Sequence, residues 1–101
     1  MGRRVDQGDI IKTDRYAMPV LVVSKNFFNE SGRIIGCPIM KEVAEGPLHL
    51  QIETKKVKGY VLCEELKMLD LKLRRYQIMD RISMNDIVNV TDAIQGIFDY
   101  V

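Results

Sequence analysis

The side chains in this 101-residue chain that could move a proton or hold a charge against a ligand are unevenly placed. The chain has one histidine, His49, in the stretch PLHLQIE, so any nucleophile–base pair would have to use it. Its apolar neighbours read first as those of an ordinary strand histidine, half-buried or at the surface, and only second as those of a base. Glu64 and Glu65 follow the apolar run YVLC. Adjacent strand residues point to opposite faces, so only one of the two can enter a shared site. The pair reads as a solvated strand end, with Glu64 able to hydrogen-bond a base edge or fix a loop. The cations are clustered. Lys55, Lys56 and Lys58 crowd one turn, and Lys67, Lys72, Arg74 and Arg75 crowd another beside Tyr76. Lysine and arginine next to an aromatic ring can follow a single-stranded backbone and stack a base. The competing reading is a solvated charged face.

Other chemistries find no support in the residue pattern. No glycine-rich phosphate loop is present, and one histidine gives no His–Cys metal spacing, so neither cofactor nor metal is expected. A net charge of +1 announces no overall field for nucleic acid, so any basic surface has to arise locally. Hydrophobic residues at 47% and charged residues at 29% match a soluble globular chain, long enough for one domain spanning 1–101. The longest apolar run, MPVLVVS, is far too short to span a bilayer. The opening MGRRVDQGD has no apolar segment behind it and reads as no secretory signal; Asp6 stands where a myristoylation signal wants Ser or Thr. Cys37 and Cys63 sit in apolar stretches without a CxxC partner, as two buried free thiols in a reducing cytoplasm would.

The elements that must position these residues are short. GDIIKT (8–13) reads as a strand. PVLVVS (19–24), β-branched and nearly all apolar, reads as a central strand buried on both faces, with Pro19 tolerable only at its start. KNFFNESG (25–32) is a turn or one helical turn closed by Gly32. RIIGCPI (33–39) is a third strand, bent near Gly36 and Pro38. KEVAEGP (41–47) is a loop, LHLQIET (48–54) a half-exposed strand, KKVKG (55–59) a basic turn and YVLCEEL (60–66) a buried strand. KMLDLKLRR (67–75) is expected to be a connection containing a helical turn, and YQIMDRI (76–82) alternates again. Ser83 with Asp86 forms an N-cap signal. Ile87, Val90, Thr91, Ile94, Ile97, Phe98 and Val101 then recur at helical spacing. Five or six antiparallel strands and one amphipathic helix suit a small curled barrel with the helix packed on it.

The order of these motifs resembles the MazF/PemK family, toxins of type II toxin–antitoxin modules. The resemblance runs from about Gly8 to Phe98. It is densest in GYVLCEELKMLDLKLRR, where the family reads like V-x-L-C-E-Q-x-x-x-L-D with a basic cluster after it. It implies a Src-homology-3-like barrel with a C-terminal helix, usually a homodimer. It also implies metal-independent, sequence-specific cleavage of single-stranded RNA, the 2′-hydroxyl attacking the adjacent phosphate to leave a cyclic phosphate and a free 5′-hydroxyl. A cognate antitoxin with an acidic segment that covers the RNA groove is implied as well.

Two positions that the resemblance marks for this chemistry have changed. The arginine expected before the strand-opening proline, in a pattern like R-P-A-L-V, is Met18, and the hydroxyl residue expected after Pro38-Ile39 is Met40. The loop between the first two strands, glycine-rich and about ten residues long in the family, is reduced here to TDRYA. Arginine offers a growing phosphorane charge a fixed cation and a donor fork, and a hydroxyl offers one more hydrogen bond; methionine offers neither. One lost donor of this kind costs roughly a hundred- to a thousand-fold in rate, about 3–4 kcal/mol. Activity is therefore expected to be weakened or lost, unless Arg15, in the shortened loop, substitutes with help from Lys41 or His49. Lys41, His49, Lys55, Lys56, Lys58, Glu64, Lys67, Arg74 and Arg75 are the expected contacts for RNA or for a partner. The alternative is a non-catalytic binding protein on the same scaffold, capturing RNA, an antitoxin or some other protein target.

Overall fold

The computed structural model describes residues 4–98, so the expectations on Met1, Gly2 and Val101 lie outside the described residues. The chain runs β1 (Asp9–Thr13), β2 (Val20–Val22), α1 (Asn26–Asn29), β3 (Arg33–Met40), β4 (His49–Glu53), β5 (Lys58–Leu62), β6 (Lys67–Asp70), β7 (Tyr76–Arg81) and α2 (Met84–Phe98). Seven strands form one antiparallel sheet in the order β4-β5-β3-β2-β1-β7, with β6 joined to β3 off that path. Residues 67–70 are thus a strand and not the helical turn expected of them. Ile35↔Met68 and Ile34↔Leu69 pairing buries Leu69 in the core, and that tertiary gain outweighs any local preference of KMLD for a helix.

The bend anticipated at Gly36 and Pro38 is where the sheet curls. Up to Gly36, β3 pairs with β6; from Ile39 onward it pairs with β5. The two residues between, Cys37 and Pro38, absorb the change of direction that makes a half-barrel. The β4–β5 turn reaches toward the far edge, where the Lys56 amide donates to Asp80 Oδ2 at 3.3 Å. The Asp80 carboxyl is held low first by the Thr54 hydroxyl of that turn, then by the backbone amide of its neighbour Arg81 and by that of Lys56.

Two hydrophobic clusters fill the fold. One, including Ile10, Leu21, Cys37, Ile39, Val61 and Cys63, is sealed by Ile87 and Val90 of α2. The other, including Ile11, Val20, Val22, Ile34 and Leu69, is covered by Val5, Tyr16 and Tyr76. Strand β2 belongs to both: Leu21 faces the first cluster, Val20 and Val22 the second. It is therefore buried on both sides, as its unbroken apolar run requires. Both thiols are buried, which pushes Cys37 up to about 12 and Cys63 up to about 11.

Helix α2 starts where expected, the Asp86 amide donating to Ser83 Oγ at 3.1 Å. It docks against Gly8, whose φ of +97° already favours glycine; a Cβ there would lie 2.5 Å from Ile87 Cδ1. Among the described residues no helix is long and apolar enough to cross a membrane.

Candidate nucleic-acid interface

The register places the two changed positions side by side. Strand β2 pairs with β3 as Val20↔Pro38, Leu21↔Cys37 and Val22↔Gly36. The ladder carries on past β2, with the Ile39 amide donating to the Pro19 carbonyl at 2.9 Å. One residue further in the same register, Met18 stands opposite Met40. The two methionines thus fall at the same end of this strand pair, Met18 half-buried and Met40 36% exposed.

From Met40 the row continues across the sheet as Tyr60 on β5 and Gln51 on β4. Gly59 lets β5 close on β3 here: a Cβ would fall 2.6 Å from the Met40 carbonyl oxygen, a backbone atom that cannot swing aside. Beside this row opens a groove of about 520 Å³ lined by Lys41, Glu42, Gln51, Lys56, Lys58 and Tyr60. Three of the expected cations are thereby gathered around one aromatic ring, the arrangement that can hold phosphates and present a stacking face. Lys55, on the same turn as Lys56, is exposed and does not line this groove.

The other expected residues fall into separate groups. His49 and Glu64 form a pair: Nε2 lies 2.8 Å from Glu64 Oε2, and Nδ1 lies 2.7 Å from the Ala44 carbonyl. Both partners can only accept, so both ring nitrogens must carry protons, and the imidazolium is the form that fits. The Ala44 carbonyl and then Glu64 raise the His49 pKa, while the bond from His49 leads in lowering that of Glu64. Held this way His49 is a fixed cation that ties the 41–48 loop to the end of β5, and in that state it cannot serve as a base. Glu64 is no simple solvated strand end. Its partner could have been anticipated only from the β4–β5 register, in which His49 pairs with Leu62, two residues short of Glu64.

Arg15 sits at the tip of the β1–β2 loop with φ +65°, a left-handed conformation that costs a non-glycine residue roughly 1–2 kcal/mol. It is exposed and makes no hydrogen bond or ion pair among the described residues. The loop is anchored to the β6–β7 turn, the Asp14 amide donating to the Arg75 carbonyl at 3.1 Å, which brings Arg15 and the Arg74–Arg75 pair to one end of the molecule. Lys67 lies over the Tyr16 ring, its ammonium 5.6 Å from the centroid. Burial, and then the charge of Glu65, raise the Tyr16 pKa. The expected residues are thus brought together in part. Lys41, Lys56 and Lys58 share the groove, Lys67 joins the β1–β2 loop, and His49 with Glu64 braces the loop before β4.

A residue the sequence reading passed over lies beside Met18. Lys12 extends from the middle of β1, and its ammonium donates to the carbonyls of Tyr16, at 2.9 Å, and Ala17. A lysine between a buried isoleucine and a buried threonine in IIKT was the available signal. Among the described residues no three His, Cys, Asp or Glu side chains are grouped so as to hold a metal ion.

Comparison with known proteins agrees with this architecture. Residues 6–98 match the family model described as PemK-like, MazF-like toxin of type II toxin-antitoxin system. No curated protein matches. Among solved structures, the MazE–MazF complex of Deinococcus radiodurans (Form-I) superposes with a TM-score of 0.87 at 20% identity, covering 96% of this chain and 98% of that one. MazF alone from the same organism (Form-I) gives 0.83 at 19% identity, covering 96% and 98%. An endoribonuclease in complex with its cognate antitoxin from Mycobacterial species gives 0.81 at 15% identity, covering 93% and 94%. At such identities the superpositions carry the fold: a mainly β, antiparallel, curled half-barrel sheet with a C-terminal helix. The family match spans nearly the whole chain, and on it the chain belongs to the PemK-like, MazF-like toxins of type II toxin–antitoxin systems.

Proposed function

We propose that this toxin binds single-stranded RNA in the groove between Lys41, Lys56, Lys58 and Tyr60 and cleaves it without a metal, at a rate lowered by the methionines at 18 and 40. The observation that carries the reading is the continuity of the groove with Met40. The row Met40–Tyr60–Gln51 runs from the strand end marked for the chemistry directly into the basic lining. RNA held there would pass its backbone along the lysines and stack a base on Tyr60. Cleavage by attack of the 2′-hydroxyl on its own phosphate needs little more than alignment and charge stabilisation, which is why a site short of donors is slow before it is dead. The test is direct. Purified protein in excess over a long unstructured RNA should give fragments ending in a cyclic phosphate. RNA that stays intact at high protein excess would refute cleavage, and retained binding under those conditions would favour the non-catalytic reading.

The protein works in this reading as a cytoplasmic homodimer opposed by an antitoxin. Support for a self-interface comes from α1 and α2, where Phe27, Met84 and Val88 are exposed along two adjoining grooves of about 390 Å³ each, Phe27 lining one, Val88 the other and Met84 both. Support for an antitoxin comes from the solved relatives that were crystallised with theirs. An acidic peptide fits the lysine groove by charge, so antitoxin and RNA should compete for it.

A further inference from the structure

Lys12 is an unusual lysine. It lies on β1 between β2 and β7, with Ile11 buried on one side of it in sequence and Thr13 on the other. Its aliphatic stem follows the sheet, and its ammonium emerges under the β1–β2 loop, held by the carbonyls of Tyr16 and Ala17. Those carbonyls are neutral dipoles. They orient the ammonium and leave its charge uncancelled, and among the described residues no carboxylate lies within ion-pair distance of it. Two of its three N–H groups are used, which leaves a third donor. The Ala17 carbonyl belongs to the peptide bond leading into Met18, so the charge sits one peptide from the position where a donor has been lost.

The same loop gathers further cations. Tyr16, whose carbonyl receives Lys12, carries Lys67 over its ring, and exposed Arg15 occupies the preceding position. Against these stand Asp14 at the loop tip and Glu65, whose charge is felt at Tyr16. A positive centre with a spare donor, fixed by backbone and flanked by a second cation, is what an RNA phosphate needs.

We propose that Lys12 is a phosphate-contacting residue of this chain, its third N–H donating to a non-bridging oxygen of the RNA phosphate that lies over Met18 and Met40. This rests on the RNA-cleaving reading above and says which residue supplies the cation. Lys12 takes up no proton and forms no bond to phosphorus; it holds charge. A lysine ammonium is a point charge without the bidentate fork of a guanidinium, so it compensates for the methionine at 18 only in part.

The test uses the whole chain and an unstructured oligoribonucleotide bearing 2′-O-methyl groups, which binds without being cut. Lys12→Met should weaken binding about tenfold, the loss of one charge-assisted hydrogen bond. It should also lower the slope of log affinity against log salt by about 0.7, one phosphate contact on a single strand. Lys12→Arg should keep the slope of the parent. A purely structural lysine would change thermal stability and leave the slope alone. Should Lys12→Met fail to fold, acylation of the unmutated chain replaces it, with RNA expected to protect Lys12 and to leave the reactivity of Lys25, beyond the opposite end of β2, unchanged. If Lys12→Met binds with the parent's affinity and slope, or RNA gives Lys12 no protection, the assignment is overturned. If the parent chain neither binds nor cuts RNA, the ribonuclease reading fails and the assignment with it, a result told apart by the parent alone.

Discussion

The two ends of the Met18–Met40 row differ sharply. On the Tyr60 side the chain keeps lysines, an aromatic ring and a glycine that lets backbone approach backbone. On the β1–β2 side the loop is six residues long (14–19), its arginine is exposed in a left-handed turn, and the strand ends carry thioethers. In the proposed reading the first end would hold a polyanion, and the second has methionine at the two positions that the resemblance marks for the chemistry. On that proposal binding and chemistry should be separable, because a groove would hold RNA through many weak contacts whereas rate depends on one or two donors placed to within an ångström.

The sharpest way to break this contrast is to restore the donors. Met18→Arg with Met40→Thr should raise the single-turnover cleavage rate about a thousandfold or more, since one such donor alone is worth roughly a hundred- to a thousandfold. The converse change strips the other end. Lys41, Lys56 and Lys58 replaced together by alanine should lower the salt slope of RNA binding by about 2, and affinity by about a hundredfold at low salt, with little change in the rate at saturating RNA. Titrations at several salt concentrations decide it. Next comes the backbone that joins the two ends. Gly59→Ala places a methyl 2.6 Å from the Met40 carbonyl and should cost about 1–3 kcal/mol in denaturant unfolding. Gly46→Ala, with nothing within 4 Å of the added carbon, should stay within about 0.5 kcal/mol of the parent.

The smallest effect is the pH dependence of the His49–Glu64 brace. The folded-state pKa of His49 is raised, so its contribution to stability is complete below its ordinary value of 6.5 and fades as pH rises through the raised value. The folded-state pKa of Glu64 is lowered, so its contribution is complete above its ordinary 4.5 and is lost as pH falls through the lowered value. Between 4.5 and 6.5 both are present in full. Comparison of thermal midpoints should therefore show His49→Gln falling furthest below the parent in that window and approaching it outside. A constant gap at all pH values would mean that packing, and not charge, is what His49 contributes.

Much of the fold was legible because patterns of burial are local. The apolar run at 19–24, the glycine and proline that bend β3, the Ser83 cap and the helical spacing after it all describe one element at a time. Strand β6 was missed because KMLD is a strand only by virtue of its partner on β3, a pairing that no local pattern announces. The site was legible in the same uneven way. Of the groove's lysines, Lys56 and Lys58 stood out as part of a cluster with Lys55, and Met18 and Met40 stood out as departures from a motif order. The His49–Glu64 pair needed the β4–β5 register, and Lys12 needed the path of a loop whose carbonyls fold back over it. Arg15, the nearest arginine in sequence to Met18, is the one the turn directs outward, since proximity along a chain says little about direction at a left-handed residue.

The most direct measurement is the single-turnover cleavage rate and the RNA dissociation constant, determined together for the parent and for Met18→Arg/Met40→Thr. The expected result is slow cutting by the parent and a rate about a thousandfold higher in the double variant, with the dissociation constant changed by less than about tenfold. A dissociation constant that tightens in step with the rate, or a double variant that binds as before and cuts no faster, would contradict the separation of grip from chemistry at this site.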